Sequence, residues 1–217
     1  MPSFITLGPK GSNHDFVLQR YLDAHGLGGC AEVLLIDDFH LGARQVIAGR
    51  ADFMLQCAAH PDLGDVTGLY RQDLFVVDAF ISQSRPMALM RLRDSVGVPD
   101  AVAVQAATRY YADLSPWPRV VIEPTVMEVS RGLVSRRYAA GIGFASFAQA
   151  HSENLELVAP IGSICDAWVV FGRRAVDGGE AIVWKSSPAS RLFLGADLLS
   201  DDLEDRGSGE LSHPSAR

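Results

Sequence analysis

The sequence predicts an α/β protein of two lobes with a ligand cleft between them, and three observations carry that expectation. Short apolar runs alternate with amphipathic stretches along the chain, the pattern of strands layered against helices. A strand-helix-strand unit occurs twice, once in residues 1 to about 80 and once in about 100 to 160. The units are joined at two places, near Phe80 to Arg85 and near Pro160 to Asp166. Two crossings make a hinge, and a ligand between such lobes sits where strand C-terminal ends and helix N-termini converge.

The strand expectations, in chain order, are Phe4 to Leu7, Glu32 to Ile36, Asp52 to Leu55, Leu74 to Ile81, Met87 to Arg91, Val102 to Val104, Val120 to Glu123, Ala140 to Phe144, Leu155 to Val158 and Ala167 to Phe171. Each is a short, largely apolar run. Helical periodicity covers Phe16 to His25, Phe39 to Gly49, Thr108 to Leu114 and Val126 to Arg137, with Gly26 and Gly49 where a helix would stop. The alternation predicts mostly parallel strands. Lobe 1 is expected over 1–80 and 166–198 and lobe 2 over 86–160, within one domain of 1–199. The end of the chain, 200–217, is acidic and then Gly/Ser-rich, and is expected to be disordered.

Composition narrows the function. With 217 residues, 48% hydrophobic and 21% charged, the chain can bury a core. It lacks an apolar run long enough to span a membrane and a recognisable N-terminal leader, so a cytoplasmic location is expected. The net charge of -7, with only Lys10 and Lys185 as lysines, disfavours nucleic acid. Cys30, Cys57 and Cys165 have no metal-ligand spacing, so neither zinc, another metal nor a disulfide framework is expected.

The residues that could carry chemistry cluster at the expected cleft. Leu7-Gly8-Pro9-Lys10-Gly11-Ser12 follows the first strand and precedes the first helix. Its glycines allow backbone to approach a ligand, and Ser12 and Asn13 are ligand donors or helix caps. Thr125 has the same two readings. His14 and His60 are candidates for proton transfer near neutral pH, or solvated histidines. Lys10 and Arg85 could hold a carboxylate, Gln105 could donate to one, and Trp168 could stack on a ring or sit in a core. The adjacent Tyr110 and Tyr111 suggest one surface ring and one buried ring.

The opening LGPKGS resembles the L-G-P-x-G-[ST] start of prephenate dehydratase catalytic domains. Gly49-Arg50-Ala51-Asp52-Phe53 is similar to that family's G-x-A-D-[YF], Pro124-Thr125 to its S-T-x-E-A-A segment, and Ala139-Ala140-Gly141-Ile142-Gly143 to its A-A-I-[AG] strand. The resemblance covers about residues 3 to 173 and implies a periplasmic-binding-protein-like (type 2) fold without a cofactor. It implies no following ACT domain, because the acidic end stands where that domain would begin.

Several positions depart from the family. Its P-[IV]-E-N stretch falls on Cys57-Ala58-Ala59-His60 and its S-H-P turn on Gln105-Ala106-Ala107. Its T-R-F motif, to which the family assigns departure of the substrate hydroxyl and grip on a carboxylate, falls on Ala167-Trp168-Val169. The ending Ala167-Trp168-Val169-Val170-Phe171-Gly172 resembles the S-W-S-L-F-G of stand-alone prephenate decarboxylases of the bacilysin type. The resemblance thus implies a lyase acting on prephenate or a related carboxylated ring, with decarboxylation or dehydration in antibiotic or secondary-metabolite biosynthesis and little phenylpyruvate formed; the residues themselves put His14 and His60 forward as its catalytic groups. A tropone-type ring intermediate is an alternative substrate. A non-catalytic cytoplasmic small-molecule binding protein is the alternative from another class. The expected partners are a small-molecule carboxylate and, at most, a second copy of the chain as a homodimer.

Overall fold

The computed structural model describes residues 1–184 together with Ser187 and Ala189. By internal contacts the chain divides into a unit Met1–Val176 and a unit Asp177–Arg217. The part of lobe 1 expected between 185 and 198 falls almost wholly outside the described residues, and the expected acidic tail does so entirely.

The first unit holds ten strands and five helices: β1 Ser3–Leu7, α1 Asn13–Ala24, β2 Glu32–Ile36, α2 Phe39–Ile47, β3 Phe53–Cys57, α3 Leu63–Leu69, β4 Phe75–Gln83, β5 Met87–Leu92, β6 Ala101–Gln105, β7 Arg119–Glu123, α4 Val126–Val134, β8 Ala140–Phe144, α5 Ala145–Ala150, β9 Leu155–Gly162 and β10 Cys165–Gly172. A single 3-10 turn, Ala106–Tyr110, stands where a helix from Thr108 to Leu114 was expected. Ser115-Pro116-Trp117-Pro118 follows it, and such a stretch cannot continue a helix. The short helices α3 and α5 carry no strong periodicity and were not anticipated.

Two five-stranded sheets form the lobes, in the orders β2-β1-β3-β10-β4 and β7-β6-β8-β5-β9. The expectation of mostly parallel strands is corrected. β1 pairs with β2 and β3, and β6 with β7 and β8, in parallel; β10 on β3 and β4, and β5 on β8 and β9, are antiparallel. The reason is the hinge. A chain that leaves lobe 1 through β4, enters lobe 2 through β5 and returns through β9 and β10 lays its crossing strands against the grain of the helix-linked ones.

Packing fixes the elements that reach the cleft. On β3, Met54 faces the core under α2 with Ile5, Phe39 and Val46, while Leu55 and Cys57 face α1 with Val17, Leu18 and Trp168; side chains alternate across a strand. In lobe 2, α4 presses onto β8 because Gly141 leaves room: a Cβ there would lie 2.7 Å from Val129 and 2.8 Å from the Ala103 carbonyl. The buried Ser130 locks this contact, donating to Val126 O at 2.9 Å and accepting from Phe144 N–H at 3.0 Å. At the hinge, Ser84 N–H donates to Ile164 O at 2.8 Å, and Ser84 Oγ accepts from Ile164 N–H at 3.1 Å.

Candidate functional site

A cavity of about 600 Å³ lies between the two sheets, within the size range of small-molecule sites. Its walls come from the ends of the parallel strands and the chain that leaves them: Leu7 at the end of β1 and Gly8 after it, Asp37 after β2, Ala59 and His60 after β3, Ala107 after β6, and Thr125 after β7. The hinge contributes Ser84, Met87, Asp166 and Trp168.

Two helices point their N-termini at this space, one from each lobe. Ser12 caps α1, accepting from Asp15 N–H at 3.2 Å, and Thr125 caps α4, accepting from Glu128 N–H at 3.0 Å. Ser12 N–H is itself bonded to Pro9 O. The first turn of a helix has no intrahelical acceptors for its N–H groups, so those of Asn13 and His14 on one side, and of Val126 and Met127 on the other, are left to a ligand. Their partial positive charge favours an anion.

Of the residues singled out from the sequence, Ser12, Asn13, His14, His60, Gln105, Thr125 and Trp168 all line the cavity. Lys10, Gly11 and Arg85 are not among its lining residues. Lys10 is exposed, since the turn that brings Ser12 inward carries the Lys10 side chain outward. Gly11 is occupied locally: its N–H donates to Asp15 Oδ2 at 2.7 Å, and its carbonyl accepts from the Arg85 guanidinium. Arg85 also donates to Ser146 Oγ at 3.2 Å, and its guanidinium lies 4.3 Å from the Phe144 ring centroid. Neither of the two cations expected to hold a carboxylate is thus in the lining, and Arg85 ties the lobes together at the hinge. Asn13 serves the same joint, its Oδ1 accepting from Arg85 N–H at 3.0 Å.

The lobe 1 wall is aromatic. His14 lies edge-on to Trp168 at 5.2 Å and to His60 at 5.9 Å between centroids, and Phe39 meets His60 edge-on at 4.8 Å. Trp168 is 1% exposed and donates from Nε1 to Ser82 O at 3.3 Å, so it is both core and cavity wall. Burial first, and the neighbouring His60 second, push His14 down to about 3. Burial lowers His60 as well, against the opposing pull of Asp62. Both rings are therefore neutral at pH 7. One nitrogen of each already accepts from the main chain: His14 Nε2 from Cys57 N–H at 3.4 Å and His60 Nδ1 from Asp62 N–H at 3.2 Å. Neutral rings of this kind position and donate hydrogen bonds; as proton sources at pH 7 they are poor.

Three further titratable groups meet on the hinge side. Burial pushes the Cys57 thiol up to about 11, so it stays protonated and unreactive at neutral pH. Burial raises Tyr111, with Asp166 and Cys57 adding to the effect, and burial alone raises Asp166. Tyr111 is the half-buried member of its pair, Tyr110 being 80% exposed. In the sequence Asp166 stood out only as the end of the second crossing between lobes, without a role. The signal was present: Asp166 and Trp168 are two apart on one strand and share a face, whereas the intervening Ala167 is exposed and outside the lining. Position 167, matched to the hydroxyl-bearing threonine, thus turns away from the cleft, and a carboxyl one residue earlier faces it.

Among the described residues no group of three or more His, Cys, Asp or Glu side chains is arranged to hold a metal ion. No described helix is long and apolar enough to cross a membrane.

No family model matches the sequence, and no curated protein matches it. Solved structures do share the fold. A prephenate dehydratase from Arthrobacter aurescens, in complex with L-Phe, superposes with TM-score 0.56 at 15% identity, over 82% of this chain and 63% of that one. The prephenate dehydratase from Staphylococcus aureus gives 0.52 at 15% identity, over 81% and 67%. An ABC transporter structure from Parabacteroides distasonis gives 0.51 at 14% identity, over 79% and 65%. This chain spans 63% of the Arthrobacter enzyme's length. The fold is the two-lobed α/β, periplasmic-binding-protein-like (type 2) architecture with its cleft between lobes, one that hosts enzymes and transport proteins alike.

Proposed function

We propose that the chain is a prephenate dehydratase-like lyase whose cleft takes prephenate or a related carboxylated ring and releases carbon dioxide from it. The observation that carries this reading is the pair of helix N-termini, α1 and α4, facing one cavity from opposite lobes across an aromatic wall. A ring bearing two carboxylates fits that arrangement: backbone N–H groups of Asn13 and His14 meet one anion, those of Val126 and Met127 the other, and Trp168 with the two histidines covers the ring face. The donors are fixed before the substrate arrives, so they stabilise charge without reorganising. Closure about the Ser84–Ile164 hinge would strip water from the carboxylate that leaves, a change that favours its loss as neutral carbon dioxide.

Two outcomes share that chemistry. Decarboxylation alone keeps the ring hydroxyl, and coupled dehydration aromatises the ring. A place in cytoplasmic antibiotic or secondary metabolism belongs to the same reading, as does a tropone-type ring as variant substrate. Mixing purified protein with prephenate and following the ultraviolet spectrum separates the outcomes. Loss of substrate with carbon dioxide release is expected; an aromatic product marks dehydration, a diene product marks decarboxylation. Binding without turnover, for prephenate and for a panel of ring carboxylates, would establish a non-catalytic binding module instead. The neutral state of both histidines is the observation that favours that second reading.

A further inference from the structure

We infer that Asp166, rather than either histidine, is the acid that donates the reaction's proton, and that it must hold this proton for a carboxylated ring to bind. The inference rests on the lyase reading and deepens it. Asp166 stands at the start of β10, opposite Ser82 of β4, where the chain passes between lobes. It shares the cleft face with Trp168, so a ring lying against the indole lies beside its carboxyl.

Among the described residues, no hydrogen-bond donor and no cation meets that carboxyl. Its titratable neighbours are Cys57 and Tyr111, neither of which compensates a negative charge. The other charged groups of the cavity wall are Asp37, Asp62, Glu128 and Arg131. Arg131 is paired with Glu128 at 3.1 Å, and Asp62 faces His60 at 3.8 Å. Burial without a counter-charge favours the neutral carboxyl and raises Asp166. An anionic substrate alongside adds like-charge repulsion and favours the protonated form further. Binding and protonation are then one linked event, and affinity for a carboxylated ring weakens as pH rises through the Asp166 titration.

The step balances in both outcomes. In decarboxylation the bond from ring carbon to carboxylate breaks, its electron pair moves through the diene, and the far ring carbon takes the Asp166 proton as carbon dioxide leaves. In dehydration the same proton goes to the ring hydroxyl, which departs as water while the released pair completes the aromatic ring. One proton is consumed per turnover, and solvent reprotonates the Asp166 carboxylate.

The test uses the full chain, wild type and Asp166→Asn, with circular dichroism to confirm that both are folded. Turnover is read with prephenate, and binding with trans-cyclohexane-1,4-dicarboxylate by calorimetry in two buffers of different ionisation enthalpy. Expected are a fall in kcat of about 10² to 10⁴ for Asp166→Asn with KM little changed, partial recovery in Asp166→Glu, and net proton uptake on dicarboxylate binding by wild type but not by Asp166→Asn. Unchanged kcat in Asp166→Asn, or dicarboxylate binding without proton uptake in wild type, overturns the role of Asp166 and leaves the lyase reading standing. Failure of wild type to turn over any ring carboxylate overturns the lyase reading and the acid step with it. Tighter binding of a primary ammonium compound that depends on Asp166 would show an ionised carboxylate there and also overturn the inference.

Discussion

The two walls of the cleft are built from the same parts and carry different chemistry. Each lobe offers parallel strand ends and one capped helix N-terminus. The lobe 1 and hinge side adds His14, His60, Cys57, Asp166 and Trp168, all of them titratable or aromatic. The lobe 2 side adds Gln105, Thr108, Thr125, Val126 and Met127, together with Tyr111. Several of those polar groups are committed to their own backbone: Gln105 Oε1 accepts from Ala107 N–H at 2.8 Å, and Thr108 Oγ1 donates to Gln105 O at 2.9 Å. On the proposed reading both lobes grip through their helix N-termini, and the difference lies in the lobe 1 and hinge side, which alone carries the proposed proton donor.

The largest expected effect separates a residue that is both core and wall from one that is mainly core. Trp168→Ala should cost about 3–5 kcal/mol of stability in urea unfolding, the usual range for a buried aromatic, and should also abolish ligand binding. Phe171→Ala, at a residue of the same strand that is 1% exposed and outside the cavity lining, should cost a similar amount of stability while sparing the stacking face. Equal binding losses in the two variants would break the comparison.

The next effect is a pH dependence that His14 and His60 contribute from lobe 1. The folded chain holds His14 near 3 against an ordinary value of 6.5. Between those values the unfolded chain binds a proton that the folded chain refuses, so stability present at neutral pH is lost as pH falls from 6.5 towards 3. His60, also lowered, adds in the same direction. His14→Gln should flatten this slope in acid unfolding curves, and an unchanged slope would place its source elsewhere.

Smaller still are the caps. Ser12→Ala and Thr125→Ala should each cost about 1 kcal/mol of stability, and each should weaken ring-carboxylate binding by loosening the N–H groups beside it. If only one of them affects binding, a single lobe does the gripping. The smallest effect has the opposite sign. Asp166 has a raised folded pKa, so its contribution is fully present below the unfolded carboxyl value and is lost as pH rises through the folded one. Asp166→Asn should therefore leave thermal stability at pH 7 unchanged or slightly higher, even as turnover falls, a pattern common to functional groups held in unfavourable surroundings.

Much was legible in the sequence because it is written in short-range terms. Periodicity and short apolar runs located all ten strands, since the alternation of faces in a strand is a local property. The glycines and caps at Leu7 to Asn13 and at Thr125 marked both helix starts facing the cleft, because capping joins residues within one turn. Tertiary structure alone decided the rest. Whether Arg85 meets a ligand or Gly11 and Ser146 depends on chain 74 and 61 residues away, and no local pattern fixes such a distance. Histidines suited by composition to carry a proton became neutral because burial among Phe39, Trp168 and each other removes the water that would solvate a charge. The facing of β10 was the hardest to read: a shift of one residue exchanges Ala167 for Asp166, and only the register of β10 between β3 and β4 settles which side chain looks into the cleft.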